Sequence, residues 1–503
     1  MLVTATGAQL IVGSTVQTTY TYSGSKLFAG LATSVNATAP KYKPDDTIKI
    51  TAETPFYIVE NIIIPEHHSS LNELFTNIAS VIREKTGDTE LIIADDFPDV
   101  IRERLQVDPP KPYLTFKSPN SFTLAVKDTT KHWDGTLEYS TDASTWSTWD
   151  GTTTLSSTTS GSGGVLYLRG TGNTVITGID VNNDINYEWV LTGTDIKCIG
   201  NIENLLDYAT VASGNHPTMA PFCYRRLFYN CTSLTRAPAL PATAVTSFGY
   251  NEMFQGCTSL TWAPSLPATT LTNGCYSRMF KGCTSLTRAP ALPATRLALY
   301  CYENMFESCT SLTKAPALPA TTLDWYCYRE MFKGCTSLTQ APALPATTLV
   351  KHCYWQMFSR CTSLTQAPAL PATTLAEECY RGMFYRCTSL TKAPSELPAT
   401  TLATSCYMFM FEFTAITAIP RIMATTYATD SCKGMFDDIK TLNVYSSSGE
   451  GHTYGWIAPA STYCSGMFGS DDGESEWAKL DGSNFPNGGT PTEGVTYYFA
   501  TVD

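Results

Sequence analysis

The 503-residue chain has few charged side chains, no basic start and no long apolar run. Asp, Glu, Lys and Arg together make up only 16% of its residues. Its first 25 residues carry no charged side chain, so the basic start of a secretory signal is missing. No apolar run approaches the roughly 20 residues that span a bilayer. The sequence therefore predicts a protein made in a cytoplasm, without export by the usual route and without membrane insertion.

Patterns for catalysis, metal binding or phosphate binding are also missing. The six histidines are scattered, no Cys-x-x-Cys pair occurs, and no glycine-rich phosphate loop is present. The acidic stretch 471–476 lacks the alternation of an EF-hand calcium loop. A formal net charge of −12 argues against a nucleic-acid partner. We expect no enzyme, no cofactor, no metal site and no nucleic-acid binding.

What the chain has in abundance is a 26-residue repeat between Cys223 and Phe436. Two successive copies read CYENMFESCTSLTKAPALPATTLDWY and CYREMFKGCTSLTQAPALPATTLVKH. A period of 20 to 50 residues predicts a stacked array in which no unit is stable alone. Each unit of such an array contacts only its neighbours, which produces a long exposed face and seldom a deep catalytic pocket. The sequence therefore predicts a protein that presents a surface.

Most of the 17 cysteines fall into two series that follow this period. One series runs from Cys231 to Cys387 in steps of 26. The other lies eight residues earlier in each unit except one, where Gly249 replaces the cysteine, and it continues at Cys406 and Cys432. Residues eight apart on a helix are about 12 Å apart along its axis, whereas a disulfide needs Cα atoms within about 7 Å. We interpret both series as ladders of small buried thiols. Disulfide bonds between cysteines of adjacent units remain the alternative.

Each unit is predicted to contain one helix and one short strand. Leu297, Cys301, Met305 and Cys309 are spaced by four and Leu312 follows three later, which favours one buried face of a helix of one and a half to two turns. The following segment, SLTKAPALPATT, is rich in proline and threonine and therefore extended. Because proline cannot donate a ladder hydrogen bond, the strand must be short and lie near residues 312–315.

The pattern MF-x-x-C-T-S-L-T-x-A-P-x-L-P resembles the BspA type of leucine-rich repeat over residues 223 to about 470. The resemblance implies a leucine-rich-repeat solenoid of about ten 26-residue cycles, here given the bounds 201–470. Residues 107–200 are predicted to form a β-sandwich, because short strands alternate there with Gly, Asn and Ser turns. Residues 471–503 lose the repeat and are predicted to form a C-terminal cap that ends in a closing strand.

Two N-terminal modules complete the predicted multidomain architecture of α/β and β units. Residues 1–62 are predicted to be a small β module, and the stretch from Phe28 to Glu60 resembles the β-grasp-like Listeria–Bacteroides repeat. Residues 63–106 are predicted to be a two-helix module, with the first helix from Ser70 to Lys85 and the second starting near Pro98. This pair resembles a helical module of bacteriophage tail and structural proteins.

Positions that differ between units are the candidates for binding. One variable row follows the invariant Leu-Thr pair, and its candidate binding residues are Arg236, Trp262, Arg288, Lys314 and Lys392. Four of these five residues are cations, which suit an anionic glycan or teichoic acid. A second row precedes the Cys-Tyr pair and contains aromatic side chains that suit sugar stacking or a protein contact: Tyr300, Trp325, Tyr326 and His352, with Trp355 just beyond. The structural alternative for the first row is a solvated polar edge. The alternative for the second row is that its aromatic side chains fill gaps between units or contact a sister subunit.

Together these observations predict a non-enzymatic virion structural protein, such as a bacteriophage tail fibre or receptor-binding appendage. Its N-terminal modules would contact other virion proteins, and its solenoid would bind a host cell-surface glycan or protein. A homotrimer is one candidate assembly. A capsid decoration or head-fibre protein, and a bacterial surface adhesin of the BspA kind, are the alternatives.

Overall fold

The computed structural model describes residues 111–127, 133–160, 163–177, 188–469, 478–485 and 487–500, together with four short strands before them. Within the unit that spans residues 1–110, β1 (Thr15–Gln17) pairs antiparallel with β3 (Thr47–Lys49). In the same unit β2 (Leu31–Ala32) pairs antiparallel with β4 (Tyr57–Ile58). The two helices predicted over 63–106 lie outside the described residues.

The second unit, residues 111–503, begins with two packed β-sheets. One sheet has the strand order β14-β13-β5-β11-β7-β8 with β10 on β11, and the other has the order β12-β6-β9. Trp149 and Trp189 are both almost fully buried between the sheets, with their ring centroids 5.6 Å apart. The strands are β5 (Leu114–Ser118), β6 (Thr123–Val126), β7 (Thr136–Ser140), β8 (Ser147–Trp149), β9 (Leu155–Ser156), β10 (Thr158–Ser160), β11 (Gly163–Thr171), β12 (Trp189–Thr192), β13 (Ile196–Ile199) and β14 (Leu234–Arg236).

The first repeat is built directly onto these sheets. Strand β14 belongs to the first repeat and pairs in parallel with β13. Nearby, the N–H of Trp189 donates to the carbonyl of Leu227, and the N–H of Ile196 donates to that of Ser233. Helix α1 (Asn204–Ala212) lies between the sheets and the repeats in the chain. The sheets and the repeats share one core, so the sheets cover the end of the array that would otherwise expose apolar side chains.

The segment before each short strand is a run of β-turns, so the predicted helix over 297–309 is wrong. Every second N–H bonds to the carbonyl three residues back, as Met305 does to Tyr302 at 3.2 Å. The intervening N–H groups bond to the next repeat, as Phe306 does to Met331 at 2.9 Å. Residues four apart on an α-helix drift by about 40° at each step. A spacing of four held over three steps therefore fits successive four-residue turns better than a helix.

Three residues in each of these turn segments adopt a positive φ, again at a spacing of four. In one repeat they are Tyr300 (58°), Asn304 (53°) and Ser308 (62°). Side chains differ between repeats at these positions, and glycine occupies some of them, as at Gly282 and Gly334. We call the side of the solenoid formed by residues 222–230, and by their counterparts in later repeats, the turn side.

Across the core from the turn side, the repeats pair through short parallel contacts, and we call this the ladder side. Arg288 and Lys314 form one such single-residue parallel bridge, and Lys314 and Gln340 form the next. Two-residue strands occur at β15 (Glu396–Leu397) and β16 (Arg421–Ile422), which also pair in parallel. The short extended segment predicted near 312–315 contains the Lys314 bridge. Proline limits its length because it has no N–H to donate.

Columns of identical side chains fill the core. A phenylalanine column runs from Phe228 to Phe468, with successive ring centroids 5.4 to 5.8 Å apart. A tyrosine column runs beside it from Tyr224 to Tyr407. Neighbouring repeats therefore present the same side chain to each other, which explains why the phenylalanine and tyrosine recur in successive repeats.

All 17 cysteines are free and buried, in agreement with the thiol ladders predicted from the sequence. In the series at steps of 26, the thiols from Cys257 to Cys387 donate to a phenylalanine carbonyl of an earlier repeat, as Cys335 does to Phe306 at 3.1 Å. The first thiol of the series, Cys231, donates instead to the carbonyl of Trp189 in the sheets. Thr414 replaces cysteine in a later repeat and donates from its hydroxyl to Phe411 at 2.7 Å. Cysteine recurs because a small side chain with a hydrogen-bond donor fits this place.

The array ends in a short β region. Strands β17 (Asn443–Val444), β19 (Lys479–Leu480) and β20 (Ser483–Asn484) form one sheet, and β18 (Tyr454–Ile457) pairs with β21 (Thr496–Phe499). Helix α2 (Ser461–Cys464) and a 3-10 helix at Asn487–Gly489 lie between these strands in the chain. The Tyr454 hydroxyl bonds both the N–H and the carbonyl of Ile422, which covers the last edge of the parallel ladder. None of the helices among the described residues has the length and apolar character needed to cross a bilayer.

Candidate binding surface

Aromatic side chains form a stacked column on the turn side. The ring centroids of Tyr300 and Tyr326 are 4.9 Å apart, and those of Tyr326 and His352 are 4.6 Å apart. Trp355 lies 5.2 Å from His352. The column arises because the first positive-φ residue of three successive repeats is aromatic, so the rings repeat at the spacing of the coils. With Trp325, these residues form what we call the aromatic patch.

Trp325 is the most accessible member of the patch. It precedes Tyr326 in the chain, and its side chain is 53% exposed. Tyr300, Tyr326 and Trp355 are half-buried. Trp325 is also one of the few large apolar side chains exposed in the described residues. A rigid stack with one protruding indole can cover the face of a ligand with little loss of side-chain entropy.

Two arginines hold the far edge of the patch. The guanidinium of Arg329 lies 4.5 Å from the centroid of the Trp355 ring, and that of Arg381 lies 5.4 Å from it. Arg329 Nη1 also lies 3.2 Å from Glu303 Oε1. Cation–π contacts of this kind are worth about 0.5–1 kcal/mol at exposed sites. Trp355 therefore lies between two cations, of which Arg329 pairs with a carboxylate of another repeat and Arg381 pairs with Glu378 of its own repeat at 2.9 Å.

His352 is the buried, titratable member of the patch. Burial lowers the pKa of His352, while the nearby Glu378 carboxylate opposes this effect. Its Nδ1 lies 3.2 Å from Glu378 Oε2, but the two atoms are not aligned as a hydrogen bond. We take burial as the dominant influence because poor alignment weakens the contact that would stabilise the charged form. His352 is therefore a neutral ring at neutral pH and stacks as an aromatic.

A chain of alternating charges runs beside the patch along the turn side. Arg226 contacts Glu188 at 2.7 Å and Glu252 at 3.3 Å, and Arg278 joins Glu252 to Glu303 at 3.4 and 3.8 Å. Burial raises the pKa of Glu303, although Arg278 and Arg329 oppose this effect. These pairs link neighbouring repeats, so they fix the spacing of the turn side. Sequence reasoning missed them, although opposite charges recur there at intervals of 25 or 26 residues.

The predicted cation row lies on the ladder side, away from the patch. Arg236, Trp262, Arg288 and Lys314 are linked by successive parallel bridges, and Lys392 is bridged to Gln366 farther along. Lys314 and Lys392 are exposed, whereas the first three residues are half-buried. The structure therefore places these residues in one row at the coil spacing, but it does not bring them together with the aromatic patch.

One group of carboxylates was not anticipated from the sequence. Oxygen atoms of Glu412, Asp437 and Asp438 lie within 4.8 Å of one another, and the first two residues are buried. The acidic stretch 471–476 considered for calcium lies outside the described residues. Repulsion among three close carboxylates is relieved by a cation or by a proton.

The fold and the surface together define a leucine-rich-repeat solenoid that presents side chains from its turns. Residues 222–328 and 302–432 match the model of the BspA type leucine rich repeat region, with six copies. The repeats of this chain are therefore BspA-type leucine-rich repeats. No curated protein matches the chain.

One solved structure also matches, a leucine-rich repeat protein from Bacteroides ovatus. The two chains are 17% identical, and the TM-score is 0.27. The match covers 50% of this chain and 55% of the other, so this chain spans about half the length of that protein.

Proposed function

We propose that this chain is a non-enzymatic surface adhesin of the BspA kind, and that its aromatic patch binds a cell-surface glycan or protein. The observation that carries the proposal is the exposed Trp325 beside the stacked Tyr300, Tyr326 and His352. The BspA-type repeats support it, because a stacked array offers an extended surface.

The chemistry of the patch favours recognition of a sugar ring or an apolar protein side chain. An aromatic face stacks on either of them, and a prearranged stack limits the entropy lost on binding. Arg329 and Arg381 supply hydrogen-bond donors at the edge. Exposed aromatics of this kind are enriched at the centres of interfaces.

Most of the titratable groups with strongly perturbed pKa values lie in the core, which agrees with a non-enzymatic role. Burial raises the pKa of the Cys275 thiol to about 12 and raises that of the other ladder thiols as well. The column tyrosines also have raised pKa values because of burial. These groups pack in the core, so their perturbation reflects burial and provides no accessible nucleophile or base.

Binding of the full chain to arrays of glycans and cell-surface proteins tests the patch. Trp325→Ala is the test variant, and Trp262→Ala on the ladder side is the matched control. We expect Trp325→Ala to weaken binding by roughly 10-fold or more, as for an interface tryptophan, while Trp262→Ala retains it. Loss with Trp262→Ala alone would move binding to the ladder side and contradict the proposal.

A bacteriophage tail fibre or other virion protein is the competing proposal. It relies on the helical module predicted over 63–106, which lies outside the described residues, whereas the repeats favour the adhesin. In that case the N-terminal modules would contact virion proteins, and the solenoid would contact the host. The two proposals differ in location, since an adhesin is found on bacterial cells and a virion protein is found on particles.

A further inference from the structure

A shallow groove of about 490 Å³ crosses four repeats on the turn side, close to where the turns lead into the ladder. Its lining contains one glycine, three threonines, two arginines and one phenylalanine: Gly334, Thr336, Arg360, Thr362, Arg386, Thr388 and Phe413. Arg360 and Arg386 occupy equivalent positions in successive repeats, as do the three threonines. The groove therefore repeats the same chemistry at the spacing of the coils, which is about 4.8 Å between paired strands.

The two arginines differ from most other cations on the turn side. Lys281, Lys333 and Arg381 each lie within 3.3 Å of a carboxylate. Among the described residues, no carboxylate lies within ion-pair distance of the guanidinium of Arg360 or Arg386, and both side chains are exposed. On a protein with a net charge of −12, two adjacent cations without an acidic partner form a local anion-binding feature.

Backbone geometry shows that arginine is not required here for folding. Arg360 and Arg386 have φ values of 62° and 59°, a region that disfavours residues with a Cβ. In equivalent positions of other repeats the chain uses several different residues, all with a positive φ: Asn230, Gly256, Gly282, Ser308, Gly334 and Phe413. The backbone therefore does not select arginine at this position, and its presence in two successive repeats is explained by what the side chains contact.

Arg386 is held ready for a ligand by aromatic neighbours. Its guanidinium lies 4.6 Å from the centroid of the Phe413 ring, and its Nε donates to the Tyr385 hydroxyl at 2.9 Å. These contacts fix the plane of the guanidinium and leave its terminal nitrogens for an anion. A planar guanidinium binds carboxylate or sulfate oxygens through paired hydrogen bonds.

We propose that this groove binds an acidic polysaccharide, with Arg360 and Arg386 each contacting a carboxylate or sulfate group on the ligand. Threonine side chains on three repeats line the path between these contacts, and Phe413 closes one end. Two cations match sparse anionic groups, whereas nucleic acid has a denser charge that the acidic protein repels. The site is separate from the aromatic patch and does not depend on ligand binding there.

Equilibrium binding of the full chain to three polymers at low salt tests this proposal. The probes are heparin as a sulfated chain, polygalacturonate as a carboxylated chain, and dextran as a neutral chain. We expect binding to at least one charged polymer and no binding to dextran. Stronger binding of heparin or of polygalacturonate identifies sulfate or carboxylate as the preferred group. Dextran binding as tight as that of the charged chains, or no binding of either charged chain, overturns the proposal.

Paired variants distinguish the groove from general charge. Arg360→Gln with Arg386→Gln should weaken binding by roughly 10-fold or more for each arginine. Arg296→Gln with Arg421→Gln removes the same charge from the ladder side and should change binding by less than about 3-fold. Equal losses in the two pairs would show non-specific attraction and overturn the site.

Two further variants control for folding and for the patch. Arg360→Gly should lose affinity while the midpoint of thermal unfolding does not fall, because glycine accepts a positive φ. A parallel fall in stability and affinity would assign Arg360 a structural role instead and contradict the site. Trp325→Ala should leave binding of the charged polymers unchanged. Loss with that variant would place the polymer on the aromatic patch and not in the groove.

Discussion

Removal of one phenylalanine from the middle of the core column should break the array at that point. Phe332 is fully buried, and its ring lies 5.7 Å from Phe306 and 5.6 Å from Phe358. A buried phenylalanine removes about 170 Å² from water, which at about 25 cal/mol per Å² corresponds to about 4 kcal/mol. This agrees with the 3–5 kcal/mol typical of Phe→Ala in a core. We therefore expect Phe332→Ala to lower the free energy of unfolding by about 4 kcal/mol.

The loss of stability should be concentrated at the two interfaces of the Phe332 repeat, with the Phe306 repeat and with the Phe358 repeat. The reason is that stability in a repeat array is a sum of unit and nearest-neighbour terms. Hydrogen exchange of the full chain measures this, since the N–H of Phe306 bonds to the carbonyl of Met331, and the N–H of Phe332 bonds to that of Met357. Protection should fall in those repeats first. Phe409→Ala is the control, because Phe409 is half-buried, and it should cost about 1 kcal/mol. Equal effects of both variants would refute the stacked core.

Three further predictions follow from buried or paired groups. Arg329→Met breaks the contact with Glu303 and should cost about 1–2 kcal/mol in a urea titration. Lys351→Met removes a solvent-exposed pair with Glu377 and should leave the urea midpoint unchanged. The pKa of His352 is lowered in the folded state, so the unfolded chain binds more protons, and the free energy of unfolding should fall as pH decreases through about 6.5. His352→Phe should lack that component, and identical pH profiles for the two proteins would contradict it. The 17 thiols should react with a thiol reagent only on unfolding, because they are buried and burial raises their pKa values; rapid reaction of the native chain would contradict this.

Periodicity was sufficient to predict the stacking and the buried thiols. A residue that recurs every 26 positions must meet its own copies in neighbouring repeats, as the columns containing Phe306 and Tyr302 do. The helix was wrong because apolar residues at i and i+4 fit both a helix and a run of four-residue turns. The repeated interval of four from Cys301 to Met305 and Cys309, with a step of three only at the following Leu312, was the available signal for turns.

The contact between the sheets and the first repeat could not be predicted from the repeat pattern. Strand β13 pairs with β14 through Ile196 and Leu234, yet the sequence around Ile196 does not follow the repeat pattern. Long-range pairing of this kind depends on backbone hydrogen bonds, which leave little trace in one sequence.

The candidate surface was predicted in part. The aromatic row could be predicted because Tyr300, Tyr326 and His352 each precede the recurrent Cys-Tyr pair. The arginine groove was missed because the position of Arg360 and Arg386 holds glycine, serine, asparagine, phenylalanine or aspartate in other repeats, so the sequence showed only a variable position. Its signal was arginine in two successive repeats at a turn position that elsewhere accepts glycine.

Immunogold electron microscopy of the source culture, with antibody to residues 223–470, tests the adhesin proposal most directly. We predict gold on the surface of intact, unpermeabilised bacterial cells, because the proposed role requires the turn side to reach an external ligand. Gold on phage particles and not on cells would contradict the adhesin proposal. Label at the tail would support a receptor-binding fibre, and label over the capsid would support a decoration protein.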